Sequence, residues 1–336
     1  MTDRMALALD FLAGTDWAGA ETAPLAGDAS NRRYMRVRQG EGAAVLMDAP
    51  TARGEDVRPF VAIADYLSSQ GLSAPRILAK DVDRGFLLLE DLGDDLFARI
   101  IPKHPGLEDE LYATAIDVLV ELHRAEPPAG LASYGTELMA EMAALALDWY
   151  AGGAEPGLRA EFAAAIARAL DAHAACHDVL IQRDYHAENL LWLPGRSGAA
   201  RVGLLDFQDA LLGHRAYDLV SLLQDARRDV PHSIAVQMIA RYVDAAGQDG
   251  AEFDAAYHVL GAQRNLRILG VFGRLCLRDG KAHYITLIPR VWAHLMRDLD
   301  HPAMAEAAPL IRGALPLPTP AFLEDLKARC APLQTP

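Results

Sequence analysis

Ile181-Gln182-Arg183-Asp184-Tyr185-His186-Ala187-Glu188-Asn189-Leu190-Leu191, followed by Leu204-Leu205-Asp206-Phe207-Gln208, is the stretch on which the fold turns. An aspartate, an asparagine five positions later and a second aspartate make a set suited to phosphoryl transfer. A nucleoside triphosphate carries magnesium on its phosphates, and that hard cation prefers carboxylate and amide oxygens. Asn189 and Asp206 offer such oxygens as metal ligands. Asp184 stands apart as the catalytic residue, free to hydrogen-bond an incoming hydroxyl and take its proton.

Between the two metal-ligand positions the chain reads as a hairpin. Apolar Leu190 to Leu193 runs into Pro194-Gly195-Arg196-Ser197-Gly198, a cluster of turn formers, and Val202 to Leu205 returns. The hairpin brings Asp206 back beside Asn189. A lone Asp or Asn is ordinarily a turn residue, whereas three in register across a hairpin call for a chemical reading.

The chain has 336 residues, 51% of them hydrophobic, enough for a sizeable core and, by length, about two domains. It lacks an apolar run of membrane-spanning length, and its N-terminus lacks the apolar core of a secretion signal, so a cytoplasmic protein is expected. Cys176, Cys276 and Cys330 are odd in number and scattered, which predicts free thiols in a reducing compartment. A net charge of −14 disfavours nucleic acid and anionic membranes as partners.

Working outward, Arg33 to Val37 and Ala43 to Met47 form an antiparallel pair around Gln39-Gly40-Glu41-Gly42. Val57, Phe60, Val61, Ala64 and Leu67 recur at helical steps up to Gly71, and a second strand pair fits Pro75 to Ala79 and Phe86 to Glu90. Beyond Gly93 amphipathic runs dominate, near Leu107 to His123, Thr136 to Tyr150, Glu161 to Ala174, Pro231 to Ala245, Phe253 to Leu277 and Leu287 to Leu299. The fold class expected is α+β with two lobes: a small β-rich N-terminal lobe over residues 1–91 and a larger, mostly helical lobe over 92–336.

The parts of a nucleotide site lie in the small lobe. Leu25-Ala26-Gly27-Asp28-Ala29-Ser30-Asn31-Arg32-Arg33-Tyr34 places small and turn-forming residues before a strand, where backbone N–H groups cover phosphates; Gly27, Ser30, Asn31 and Arg33 are the candidates. Phe86 to Gly93 passes from an apolar strand to a polar turn. There the Glu90 carbonyl and the Leu92 amide are placed to pair with an adenine edge.

These segments resemble those of the aminoglycoside phosphotransferase and choline kinase family. The matching pieces are Asp184-x-His186-x-x-Asn189-x-Leu191, Asp206-Phe207, Glu121-Leu122-His123, Leu89-Glu90-Asp91-Leu92 and Tyr217-Asp218-Leu219, in the family's order over most of the chain. The resemblance implies a protein-kinase-like bilobal fold, ATP and Mg2+ as cofactors, and support of the catalytic loop by His123, His186 and Asp218, the last accepting hydrogen bonds from the loop backbone. Within the family, four segments are similar to those of kinases acting at C1 of N-acetylmuramate and N-acetylglucosamine in cell-wall recycling: Gly27 to Tyr34, Met47-Asp48-Ala49-Pro50, Asp206-Phe207-Gln208-Asp209-Ala210 and Gln263 to Gly270. Two positions depart from the pattern. Ala44-Val45-Leu46-Met47-Asp48 lacks the usual phosphate-binding Lys, for which Arg32, Arg33 or Arg36 is the substitute, and Gln182 stands where the family has His.

Twelve positions separate Asp206 from Asp218, too few for a segment that docks protein substrates, which favours a small-molecule acceptor; no protein partner is inferred. Polycationic aminoglycosides want carboxylates, whereas Gln263, Arg264, Asn265 and Arg267 suit an acetamido sugar or one bearing a carboxylate, since Arg pairs bidentately with that group. The alternatives are a kinase for another small alcohol or amine, of aminoglycoside, choline or homoserine type, and a nucleotide-binding pseudokinase, suggested by the missing Lys.

Overall fold

The computed structural model describes residues 4–25 and 31–332. In chain order its elements begin with helix α1 (Arg4–Ala13), strands β1 (Glu21–Pro24), β2 (Arg33–Gln39) and β3 (Gly42–Asp48), helix α2 (Arg58–Ser69), strands β4 (Ile77–Asp81) and β5 (Phe86–Glu90), and helices α3 (Phe97–Ile100), α4 (Glu108–Arg124), α5 (Thr136–Leu145) and α6 (Pro156–His173). Short strands β6 (Val179–Ile181), β7 (Leu190–Trp192), β8 (Val202–Leu204) and β9 (Leu211–Gly213) follow. Helices α7 (Tyr217–Leu223), α8 (His232–Ala246), α9 (Gly250–Leu277), α10 (Ile288–Leu299), α11 (Ala308–Ala314) and α12 (Pro320–Ala328) complete the chain.

Two compact units result: Met1–Val118 with Glu188–Ala210, and Leu119–Ala187 with Leu211–Pro336. The first unit is built on an antiparallel sheet of order β1-β2-β3-β5-β4. Alternation along its strands gives two faces. Met35, Val37, Ala44, Leu46, Phe86 and Leu88 form one, buried against Ala8, Phe11 and Leu12 of α1. Asp48 also lies on this face, where Arg4 Nε donates to its carboxylate at 3.0 Å and the guanidinium covers the Phe86 ring at 4.3 Å. The opposite face carries Tyr34, Arg36, Val45, Met47 and Leu89 into a cavity.

Sequence order alone placed the lobe boundary after residue 91, whereas contacts assign α3, much of α4 and the β7–β8 hairpin to the unit of the sheet. Backbone bonds are the reason. Leu204 N donates to Ser73 O at 2.9 Å, Trp192 N donates to Asp95 O at 2.8 Å, and Arg201 of the hairpin pairs with Glu110 of α4 at 2.6 Å.

The second unit gathers around α9, a 28-residue helix whose Asp249 side chain caps the N–H groups of Ala251 and Glu252. The helices α5, α6, α7 and α10 pack on it, as does a π-helical turn over Ala146–Tyr150. Gly270 permits that close approach, because a Cβ there would run into the Leu145 backbone. Cys276 of α9 and Cys330 after α12 form a disulfide, with Cα atoms 4.8 Å apart, while Cys176 is free and exposed. Free thiols were expected of all three. Spacing along the chain carries no trace of a pair brought together by helix packing. Among the described residues no helix is long and apolar enough to cross a membrane.

Candidate functional site

The first unit holds a cavity of about 600 Å³ lined by both sheet and hairpin residues. Leu25, Tyr34, Arg36, Val45, Met47 and Leu89 form its sheet wall, and Glu90 to Asp94 form the strand-to-turn wall. Asn189, Leu191, Leu205 and Asp206 come from the hairpin. Leu205 N donates to Asn189 O at 3.0 Å, so the two polar residues are tied together by backbone as well as by the β7–β8 pairing. Asp206 sits at φ 58, a left-handed conformation that Asp tolerates better than most residues. Its Oδ1 accepts from Gln208 Nε2 at 2.7 Å, and the next side chain, Phe207, packs on Phe60 of α2 with ring centroids 4.8 Å apart.

This donor set fits magnesium. A carboxylate and an amide oxygen at one wall of a cavity match an ion that is held by one or two protein oxygens and completed by water and phosphate. Among the described residues no cluster of three or more His, Cys, Asp or Glu forms a metal cage.

Glu90 and Leu92 both line the cavity, and among the described residues the Leu92 N–H has no acceptor, leaving it available to a base edge. Gly27 and Ser30 lie outside the described residues. Asn31 N donates to Glu55 Oε1 at 3.2 Å, Arg32 pairs with Glu55 at 3.1 Å, and Arg33 is exposed; none of the three lines the cavity. Of the three arginines weighed as substitutes for the missing Lys, Arg36 reaches it, with Nε 2.6 Å from Asp91 and Nη1 2.8 Å from Asp94. Arg36 stands opposite Val45 on the neighbouring strand, so the sheet supplies a cation from β2 where β3 has none. Tyr34, Phe60, Asp94, Arg99 and Glu188 also line the cavity and were not singled out from sequence, because only strand pairing and the packing of α2 reveal them.

Asp184 belongs to the second unit, where the turn after β6 is held by hydrogen bonds to one buried carboxylate. The N–H groups of Gln182 and Arg183 donate to Asp218 at 2.7 and 2.9 Å. Arg183 is at φ 71, an uncommon conformation for a long side chain, and this bracing offsets its cost. Ser221 Oγ donates to the Arg183 carbonyl at 3.1 Å, and Arg264 Nη2 donates to Ser221 Oγ at 2.8 Å. Burial pushes the Asp184 carboxyl up, yet Arg267, His186, Arg264 and Arg183 outweigh that effect and hold it below the usual carboxylate range. It is ionised at neutral pH.

The four polar residues of α9 divide by direction. Gln263 Nε2 donates to the Met139 carbonyl at 2.8 Å, and Asn265 Nδ2 donates to Gln224 Oε1 at 2.7 Å and Asp298 Oδ2 at 3.1 Å, both within the core. Arg264 and Arg267 share the other side, in the electrostatic reach of Asp184. His123 Nδ1 is 2.7 Å from the Tyr242 hydroxyl, and Arg227 Nη1 donates to His186 Nε2 at 3.2 Å.

Four histidines of this unit, His214 half-buried and the other three buried, give a pH prediction. Burial lowers His123 to about 3 and His186, His214 and His294 each to about 4, from an ordinary 6.5. Between those limits the unfolded chain takes up protons that the folded chain refuses, so stability falls as pH drops from about 6.5 toward 4. Asp218, raised to about 7 by burial, and Asp298, raised likewise, act in the opposite sense but are outnumbered. Melting temperatures measured from pH 7.5 to 4.5 are expected to decline steadily below about 6.5; a flat profile would contradict the neutral state of these rings.

A nucleotide-sized cavity with an Asp and Asn at its wall, and a braced aspartate loop in the preceding segment, define a phosphotransferase. The chain belongs to the phosphotransferase enzyme family, whose model matches residues 21–257. It is 38% identical to an N-acetylmuramate/N-acetylglucosamine kinase of Caulobacter vibrioides, over 91% of this chain and 95% of that protein. A protein of the same name from Pseudomonas aeruginosa is 36% identical over 87% of this chain and 88% of its own length. A choline/ethanolamine kinase family protein from Mesorhizobium loti, of known structure, superimposes with a TM-score of 0.60 at 16% identity, covering 93% of this chain and all of that one. That likeness shows the fold, α+β and protein-kinase-like.

Proposed function

We propose that this protein is an ATP-dependent kinase that phosphorylates the anomeric hydroxyl of N-acetylmuramate and N-acetylglucosamine, in the cytoplasm, for recycling of cell-wall sugars. The observation that carries the reading is the identity of 34–38% to four kinases named for these two sugars, extending over 85% or more of the chain in each case. The first unit binds the nucleotide in its cavity, with the base edge at Glu90 and Leu92 and Arg36 as the cation on the sheet wall. Asn189 and Asp206 hold Mg2+, which when bound neutralises phosphate charge. The second unit binds the sugar.

Asp184 accepts a hydrogen bond from the C1 hydroxyl, orients its oxygen toward the γ-phosphorus and takes the proton as the new P–O bond forms and the bond to the β-phosphate oxygen breaks. A carboxylate held ionised is a weak base, which suffices because a loose transition state asks for the proton late. Asp218, through Gln182 and Arg183, keeps the loop in place. Arg264 and Arg267 are the cations available to the acceptor.

Phosphorus NMR of the protein with ATP, Mg2+ and either sugar tests the reading. A new phosphoester resonance coupled to the anomeric proton is expected, absent in the Asp184→Ala variant. A product phosphorylated at another hydroxyl, or no product with either sugar, overturns it.

A further inference from the structure

Arg264 and Arg267 are one helical turn apart on α9 and have different fates. Arg264 is 3% exposed and commits Nη2 to Ser221, so it supports the aspartate loop from behind. Arg267 is only partly buried and makes no hydrogen bond or ion pair with a carboxylate among the described residues. Other arginines of this unit are held by acids, Arg159 by Asp148 and Glu141, Arg215 by Asp178, Arg290 by Asp229 and Arg312 by Asp300.

Its surroundings explain what it awaits. Arg267 lies beside Tyr217 and Tyr134 and in the field of Asp184. The two rings meet edge-on at 5.3 Å, and Arg183 covers Tyr134 at 5.4 Å. Both tyrosines are at most 2% exposed, so they wall the guanidinium rather than compete with it for a ligand. Two nitrogens of Arg264, Nε and Nη1, are buried one helical turn away and make no hydrogen bond among the described residues. The guanidiniums of Arg183, Arg264 and Arg267 therefore all act on Asp184, the aspartate proposed to receive the acceptor hydroxyl.

We propose that Arg267 is the selectivity residue that reads a carboxylate on the acceptor sugar, pairing with the lactyl carboxylate of N-acetylmuramate, a group N-acetylglucosamine lacks. This inference rests on the functional reading above. The same guanidinium also stabilises ionised Asp184, an effect common to both sugars, so the ratio of their kcat/KM values isolates the carboxylate contact.

The test is that ratio in wild type, Arg267→Gln and Arg267→Lys. Loss of a charge-assisted, bidentate contact is expected to lower the N-acetylmuramate to N-acetylglucosamine ratio by about tenfold to a hundredfold in Arg267→Gln. Arg267→Lys, which keeps the charge but not the fork, recovers part of it. A ratio unchanged in Arg267→Gln, with both sugars slowed equally, overturns the inference and leaves the functional reading standing. Failure of the wild type to phosphorylate either sugar overturns both.

Discussion

Asp206→Ala is expected to lower phosphotransfer by at least about a thousandfold while moving the melting temperature by only a few degrees. A metal-bound phosphate is worth several kcal/mol in the transition state, and about 4 kcal/mol is a factor of a thousand in rate. The backbone around the carboxylate is fixed by other contacts: Leu205 is bonded to Asn189, Phe207 is buried against Phe60, and Asp206 itself turns the chain at φ 58. Alanine in the left-handed region costs roughly 1–2 kcal/mol, and Asp206→Asn removes the charge without that cost. Both variants are expected to lose activity and Mg2+-dependent nucleotide affinity, measured by calorimetry with ATP at several Mg2+ concentrations. Near-normal turnover in Asp206→Asn would remove the metal-ligand assignment.

Asp184→Ala is expected to reduce kcat by about a hundredfold to ten-thousandfold, the usual range for a positioned general base, with KM for ATP within about threefold of wild type. The loop stays folded because its order comes from Asp218 and Ser221, not from the Asp184 side chain alone. Arg267, Arg264 and Arg183 are the standing cations among the groups that hold Asp184 below the usual carboxylate range, so the acid limb of the pH–rate profile owes nothing to its protonation above about pH 4. Single-turnover rates across pH 5–8 for wild type and Asp184→Asn separate this role from a binding role. A variant that keeps its single-turnover rate and loses only sugar affinity would make Asp184 an anchor rather than a base.

Strand β3 has no Lys on the cavity wall, and a cation faces the cavity from the adjoining strand instead. Val45 and Met47 face the cavity from β3, and both are apolar. One strand over, Arg36 faces the same space, anchored by Asp91 and Asp94. Its guanidinium joins the sheet to the turn that follows β5. The pseudokinase alternative drew its support from the missing Lys, and that support weakens once a cation is found on the adjoining strand.

Much of the fold was legible because its signals are local. The β2–β3 and β7–β8 hairpins announce themselves through turn residues between alternating or apolar runs, and α2, α4, α8, α9 and α10 through helical periodicity. Helix α7 was not legible as a helix: all seven of its residues are buried, so it has no polar face to set a period. The three-residue strands β6 and β9 pair across an intervening hairpin, a non-local match that no short window contains.

By itself the sequence determined the chemistry on offer: an aspartate, an asparagine and an aspartate in order, the hairpin that returns Asp206 to Asn189, and the absence of a Lys on β3. Those depend on residue type and short-range spacing. Tertiary structure decided which polar side chains are spent. Gln263 and Asn265 turn to core acceptors while Arg264 and Arg267, their neighbours on the same helix, turn to the aspartate loop. It also decided that Cys276 meets Cys330 across 54 residues and that Arg36 lines the cavity opposite Val45 of the neighbouring strand. A side chain's role depends on what faces it, and burial and pairing partners arise only when distant segments pack.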